Sequence, residues 1–153
     1  MTFRERGGWW VVAQFGLFVA VIGAGRLSGP EAVGGAWQTA GNALFVAGLA
    51  LGALGALPLG RRLSPFPQPV PAAQLRTTGI FGLVRHPIYG GVILLFAGIA
   101  VRSGSWVAMV LAATLVPFFW AKSRHEERLL EKRFPEYAEY RQKVRRRLLP
   151  FLV

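Results

Sequence analysis

The chain has 153 residues, a formal net charge of +11 and no cysteine, which excludes disulfides, thiolate catalysis and cysteine metal sites. Hydrophobic residues make up 53% of the chain and charged residues 16%, against roughly 25% charged residues in soluble domains. This composition predicts a single all-α integral-membrane domain rather than an unusually apolar soluble bundle. With two histidines and no aspartate, a metal site is not expected.

Long uncharged stretches predict about four transmembrane helices. Three of them run from Gly7 to Gly25, from Ala32 to Gly60 and from Ser103 to Ala121, and a fourth lies between Arg85 and Arg102. About 20 apolar residues cross a bilayer, and Arg102 can snorkel toward the headgroups where a run is short. We therefore place the spans at residues 9–25, 38–59, 87–101 and 104–121.

The first two spans carry further signals. The first has a basic start but no small-residue cleavage site after it, so we do not interpret it as a cleavable signal peptide. The second has glycines that suit close helix packing in lipid, at Gly41, Gly48, Gly52 and Gly55.

The distribution of lysine and arginine predicts the orientation. The N-terminal segment, the three loops and the tail contain two, one, four, one and ten of these residues in turn. This alternation predicts a multi-pass cell-membrane protein with both termini and the second loop in the cytoplasm. The positive charge then lies at one membrane face, which favours membrane lipid rather than nucleic acid as the partner. The stretch "KVRRR" at 143–147 is predicted to face anionic lipid.

The cytoplasmic loop at 60–86 leads into the segment "LVRHPIYGG" at 83–91. Four prolines between Pro65 and Pro71 predict an extended path along the membrane face. Pro87 suits the first position of a helix, so Arg85 and His86 lie just before a helix N-terminus, where a bound anion is favoured. The alternative is that these side chains and Tyr89 are interfacial anchors.

The cytoplasmic C-terminal segment, residues 122–150, contains five of the seven acidic residues. Glu126 and Glu127 leave the last span on the same membrane face as Arg85. One could pair with Arg85 while the other accepts hydrogen bonds from sugar hydroxyls; alternatively, both form ordinary pairs along their own helix. The tail is predicted to form a helix, a break and a second short helix with Pro135 in its first turn. One apolar stripe with spacings of four, three, three and four consists of Leu130, Phe134, Tyr137, Tyr140 and Val144.

Two motifs together resemble a known family. "GIFGLVRHPIYGG", followed by a helical hairpin and then "EERLLEKRFPEYAEYRQKV", is similar to the isoprenylcysteine carboxyl methyltransferases and the related phospholipid methyltransferases of membranes. The resemblance covers residues 64–150. It implies S-adenosylmethionine as methyl donor, S-adenosylhomocysteine as product, and a small or lipid-embedded acceptor that is a carboxylate, an amine or a thiol.

The resemblance also implies roles for individual residues. Arg85 and Glu126 would be catalytic and face the acceptor, with Arg85 orienting a carboxylate or Glu126 accepting a proton. The implied cofactor-binding residues are Leu83, Val84, His86, Tyr89, Glu127, Leu130, Phe134 and Tyr137. Glu127 would hold the ribose hydroxyls, although which of the two adjacent glutamates contacts the cofactor stays open.

Two other functions remain open at this point. The arginine-rich end would suit a non-enzymatic membrane scaffold or an anionic-lipid-binding protein. The second alternative is a nicotinamide-dependent membrane sterol reductase, although this chain is small for that class of enzyme.

The tail has "FPEY" where many relatives have F-G-x-x-Y, which moves the tyrosine that we assign as Tyr137 by one position. The oligomeric state is not predicted.

Overall fold

The computed structural model describes residues 2–27, 34–69 and 74–150, and the predicted all-α fold is confirmed. Pro71 and residues 28–33 of the first predicted loop lie outside the described residues. The helices are α1 (Gly8–Leu27), α2 (Gly35–Ala56), α3 (Pro87–Ser103), α4 (Trp106–Arg133) and α5 (Tyr137–Lys143), with short 3₁₀ turns at Gly60–Arg62 and Gly79–Gly82.

Three of the described helices have the length and apolar composition to cross a membrane. In the part of the chain that the structure describes, α1, α2 and α4 are long and apolar enough to cross a membrane, whereas α3 is apolar but has 17 residues. Large apolar side chains are exposed on the outer faces, among them Trp9, Val19, Leu49 and Val110. Contiguous apolar surface of this kind is unfavourable in water, so lipid is its natural environment.

The C-terminal ends of α2 and α4 are among the helix ends that differ from the predicted spans. Helix α2 ends at Ala56 rather than at residue 59 because Pro58 has no N–H to continue the hydrogen-bond ladder. Helix α4 does not end at the predicted membrane boundary and continues to Arg133. Its 28 residues span about 42 Å, more than the roughly 30 Å hydrocarbon core, so its last turns extend beyond the lipid.

Helices α2 and α3 pack with their backbones in close contact. A Cβ atom built on Gly48 would lie 2.6 Å from the carbonyl oxygen of Gly91, and one on Gly91 would lie 2.5 Å from the backbone nitrogen of Gly52. Neither distance allows a side chain without moving a helix. The predicted close packing is confirmed at Gly41, Gly48 and Gly55, whereas a Cβ on Gly52 would meet no atom within 4 Å.

This difference predicts unequal effects of two alanine substitutions one turn apart. Gly48→Ala should destabilise the protein by about 1–3 kcal/mol, because the new methyl group meets backbone that cannot give way. Gly52→Ala should cause no loss of stability. Thermal unfolding of both variants in the same detergent measures the difference, and equal unfolding temperatures would contradict this packing.

Aromatic packing joins α1, α3 and α4 beside the end of the bundle where α4 extends beyond the lipid. Phe18 of α1 stacks on Phe96 of α3 with ring centroids 4.2 Å apart, and Tyr89 stacks on Phe119 of α4 at 4.9 Å. The start of α3 is therefore fixed against the middle of α4. The polar residues that precede Tyr89 in the sequence therefore lie close to the polar residues that follow Phe119.

The C-terminal helix packs back against the end of α4. Tyr137, Tyr140 and Val144 form a buried cluster with Leu130 and Phe134, so the predicted stripe is confirmed. Pro135 was expected in the first turn of the second helix, but it lies in the turn that precedes α5. That turn is closed by the Tyr137 N–H, which donates to the Phe134 carbonyl at 2.9 Å, and a proline suits its second position.

Candidate functional site

A cavity of about 360 Å³ lies where α1, α3 and α4 meet the proline-rich loop and α5. Ligand pockets in proteins commonly have volumes of roughly 300–1,000 Å³. One face of α4 forms a wall through Phe119, Lys122, Glu126 and Leu130, whose spacings of three, four and four place them in line. The wall thus has an ammonium group and a carboxylate one helical turn apart.

The loop at 63–69 roofs the cavity and is held by the N-terminal segment. The Phe66 ring packs edge-on against Phe3 at 6.0 Å, and the Arg6 guanidinium lies 4.0 Å from the centre of the Phe66 ring. Gly7 has φ of +78°, and a Cβ there would lie 2.6 Å from Pro67 Cγ. A glycine is needed at this position for both reasons. The loop therefore has a fixed course over the cavity.

Glu126 presents its carboxylate to the cavity beside two stacked rings. The Tyr89 hydroxyl donates to Glu126 Oε2 at 2.5 Å, and the His86 ring stacks on Tyr89 with centroids 5.4 Å apart. His86 Nδ1 lies 4.0 Å from the same carboxylate oxygen. All three residues line the cavity. Tyr89 therefore holds a carboxylate, with His86 beside it, at the position where a ligand would meet it.

Glu127 points away from the cavity and is 2% exposed. Arg85 Nε donates to its Oε1 at 2.8 Å, and His86 Nε2 lies 3.1 Å from the same oxygen. Arg147 Nη2 donates to Oε2 at 3.0 Å. Glu127 therefore pairs with residues just before α3 and with the C-terminal segment, and not with neighbours on its own helix. Its charge is balanced within the protein.

Arg85 and the backbone around it bind the end of the chain. Its Nη1 donates to the carbonyls of Val144 at 2.6 Å and Arg145 at 2.8 Å. The backbone N–H of Arg85 also donates to the Arg146 carbonyl at 3.0 Å, and that of His86 to the Arg147 carbonyl at 2.8 Å. The C-terminal segment thus lies alongside residues 85–86. Arg85 lines the cavity, but these contacts direct its side chain to structural partners.

The expectation that the whole "KVRRR" stretch faces lipid is wrong for Arg147. Its guanidinium binds Glu127 and lies 4.4 Å from the centre of the Trp120 ring. The physical reason is the backbone pairing with residues 85–86, which brings Arg147 against Glu127. Arg145 and Arg146 are exposed, as expected.

Seven of the ten predicted site residues line the cavity: Arg85, His86, Tyr89, Glu126, Leu130, Phe134 and Tyr137. The other three are not among the described lining residues. Leu83 is 54% exposed, Val84 is fully buried and Glu127 lies behind the wall. The lining phenol of Tyr137 has a raised pKa because it is buried. Burial likewise raises the pKa of Tyr140 to about 12, so its hydroxyl stays protonated and donates to the Phe81 carbonyl at 2.7 Å.

Sequence reasoning missed several polar residues that line the cavity, and two of them, Gln14 and Lys122, are buried. Their side chains meet, with Lys122 Nζ 2.6 Å from Gln14 Oε1. A signal for each was present. Gln14 is the single polar side chain between Gly8 and Gly25, and Lys122 is the first charge after the uncharged run that ends at Ala121. Polar groups at such positions in membrane proteins usually have a partner or a function.

The fold and the cavity define an all-α membrane protein with a polar ligand-sized cavity at one end of its helices. The family model of phospholipid methyltransferases matches residues 36–137, which is more than half of the chain. The chain therefore belongs to this family of membrane methyltransferases, in agreement with the resemblance in the motifs. No curated protein matches the chain.

Proposed function

We propose that the protein is an S-adenosylmethionine-dependent methyltransferase that acts on a small or lipid-embedded acceptor at the cytoplasmic membrane face. One observation carries this proposal: a methyltransferase-family chain has a 360 Å³ cavity in which Glu126, held by Tyr89, presents a carboxylate. When bound, S-adenosylmethionine supplies a methyl group on a positively charged sulfur. A carboxylate in a partly dehydrated cavity attracts such a cation more strongly than it would in water.

The residue roles follow from the partners of each side chain. We assign Glu126 to the ligand because it faces the cavity, and we assign Glu127 to positioning because Arg85, His86 and Arg147 already use its oxygens. Arg85 is likewise a positioning residue that fixes the C-terminal segment. Leu130, Phe134 and Tyr137 close the pocket. This assignment favours Glu126 as the glutamate that contacts the cofactor.

Methyl transfer requires the protein mainly to align two reactants and to exclude water. The loop at 63–69 and the aromatic side chains of α5 cover the cavity and serve that purpose. A carboxylate acceptor needs no base. An amine, a phenol or a thiol must lose a proton, and Glu126 is the carboxylate in the described lining that could accept it.

We also propose that the cavity end faces the cytoplasm, with both termini on that side. The support is the lysine and arginine count of the segments, which is highest for the loop and tail that surround the cavity. Exposed Arg145 and Arg146 at this end would meet anionic lipid headgroups. An acceptor embedded in the same leaflet would then lie close to the cavity.

Label transfer tests the proposed activity. Purified protein in lipid nanodiscs is incubated with methyl-labelled S-adenosylmethionine and with lipid and soluble extracts of the cells that make it. We expect label to appear in one of the two extracts with the wild-type protein and to be lost with Glu126→Gln. Absence of transfer to both extracts would contradict the proposed activity, whereas equal transfer by the variant would contradict the role assigned to Glu126.

A further inference from the structure

Lys122 places a fully buried ammonium group against the cavity. Its side chain is on α4 and is 0% exposed. Nζ donates to Gln14 Oε1 of α1 at 2.6 Å and to the Pro65 carbonyl of the roofing loop at 2.9 Å. It also lies 5.3 Å from the centre of the Tyr89 ring. Three elements therefore converge on one positive charge.

The oxygens that bind this ammonium group are neutral. Among the described residues, none of the ion pairs within 4 Å includes Lys122. Glu126, on the next turn of the helix, accepts a hydrogen bond from Tyr89. Burying an ammonium group against neutral oxygens costs free energy that a directly bound anion would offset. A lysine has three N–H donors, and Gln14 and Pro65 take two.

We infer, resting on the function proposed above, that Lys122 binds an anionic group of a ligand in the cavity, a carboxylate or a phosphate. Glu126 lies four residues further along α4, so the two side chains start about 5–6 Å apart on one face. A ligand with an anionic group and a neighbouring cationic group matches this pair. S-adenosylmethionine has a carboxylate at its amino-acid end and a positively charged sulfur on the same side chain, and an acceptor with an anionic headgroup is the other source of the anion.

Two ligand pairs test the inference on wild-type protein in nanodiscs by calorimetry. The first is S-adenosylhomocysteine against its decarboxylated analogue, and the second is dodecanoate against dodecanol. We expect the carboxylate to bind about 10- to 100-fold more tightly in one pair. A preference in the first pair assigns the anion to the cofactor, and one in the second pair assigns it to the acceptor.

Equal affinities within both pairs would overturn the inference. If neither nucleoside binds to folded protein, the proposed function fails, while the dodecanoate pair still decides whether Lys122 has an anion site. The two failures are therefore distinguishable.

Substitutions of Lys122 test whether this residue causes the preference for the carboxylate ligand. Lys122→Met removes the charge and keeps the length, so we expect the preference to disappear. Lys122→Arg should retain it within about threefold, which corresponds to a small difference in binding free energy. Arg124→Met is the matched control, because Arg124 is exposed on the same helix and should have no effect.

A folded Lys122→Met protein that keeps the full preference would show that Lys122 only connects α1, the loop and α4. If Lys122→Met does not fold, Lys122→Arg and the wild-type ligand pairs decide: a carboxylate preference retained in folded Lys122→Arg protein supports the inference, whereas loss of it there, or no preference in the wild type, overturns it.

Discussion

Replacing Glu126 with glutamine is expected to weaken the binding of S-adenosylmethionine by about 10- to 100-fold and to leave the fold intact. The cavity would lose a negative charge, while the amide oxygen of the new side chain can still accept the Tyr89 hydrogen bond. Calorimetric titration gives the affinity, and thermal unfolding in the same detergent tests the fold. The neutral product S-adenosylhomocysteine should lose less affinity than the cationic donor.

Glu131→Gln is the control for this experiment. Glu131 lies on the same helix but forms a surface ion pair with Arg141 at 2.6 Å, outside the cavity lining. Its replacement should not change the affinity for either nucleoside. A Glu126→Gln protein that binds both nucleosides as tightly as the wild type would contradict the assignment of Glu126 to the ligand.

Replacing the adjacent glutamate, Glu127→Gln, is expected to affect the fold instead and to lower the free energy of unfolding by about 3–5 kcal/mol. Glu127 is the anion for the guanidinium groups of Arg85 and Arg147, which would remain buried beside a neutral amide. The destabilisation should be largest where the C-terminal segment packs against residues 85–86. Thermal unfolding measures it.

Glu139→Gln provides the matched control for stability. Glu139 pairs with Lys143 at 2.8 Å on an exposed face of α5, and the pair is screened by water. This substitution should leave the unfolding temperature unchanged. If Glu127→Gln also unfolds at the wild-type temperature, the buried cluster does not hold the C-terminal segment in place.

The sequence did not decide between the two glutamates, and the reason is geometric. Successive residues of a helix are about 100° apart, so adjacent acids face different directions. Which of them faces the cavity depends on the rotation of α4 against α1 and α3. The spacing of Phe119, Lys122 and Glu126 places the three side chains on one face of α4. That face can be assigned to the cavity only when Tyr89 is known to pack on Phe119.

Other features were predictable because they depend on local chemistry. Pro87 begins α3 as expected, since a missing N–H has no cost at a helix start. The apolar stripe from Leu130 to Val144 predicted the two packed tail helices. The last span was placed to end where charge begins, and α4 continues past that point to Arg133 because charge alone does not end a helix.

The pairing of residues 85–86 with the C-terminal segment could not be predicted from a local pattern. It joins backbone groups about sixty positions apart, and the arginines of that segment look equivalent in the sequence. Only the folded chain distinguishes inward-facing Arg147 from exposed Arg145 and Arg146. The same pairing gives Arg85 structural partners, which its position before a helix did not indicate.

Calorimetric titration of folded wild-type protein with S-adenosylhomocysteine tests the central claim most directly, because it needs no knowledge of the acceptor. The nucleoside should bind saturably, with one molecule for each cavity, and should raise the unfolding temperature of the protein. Protein that unfolds cooperatively in nanodiscs but neither binds the nucleoside nor gains thermal stability from it would contradict the account.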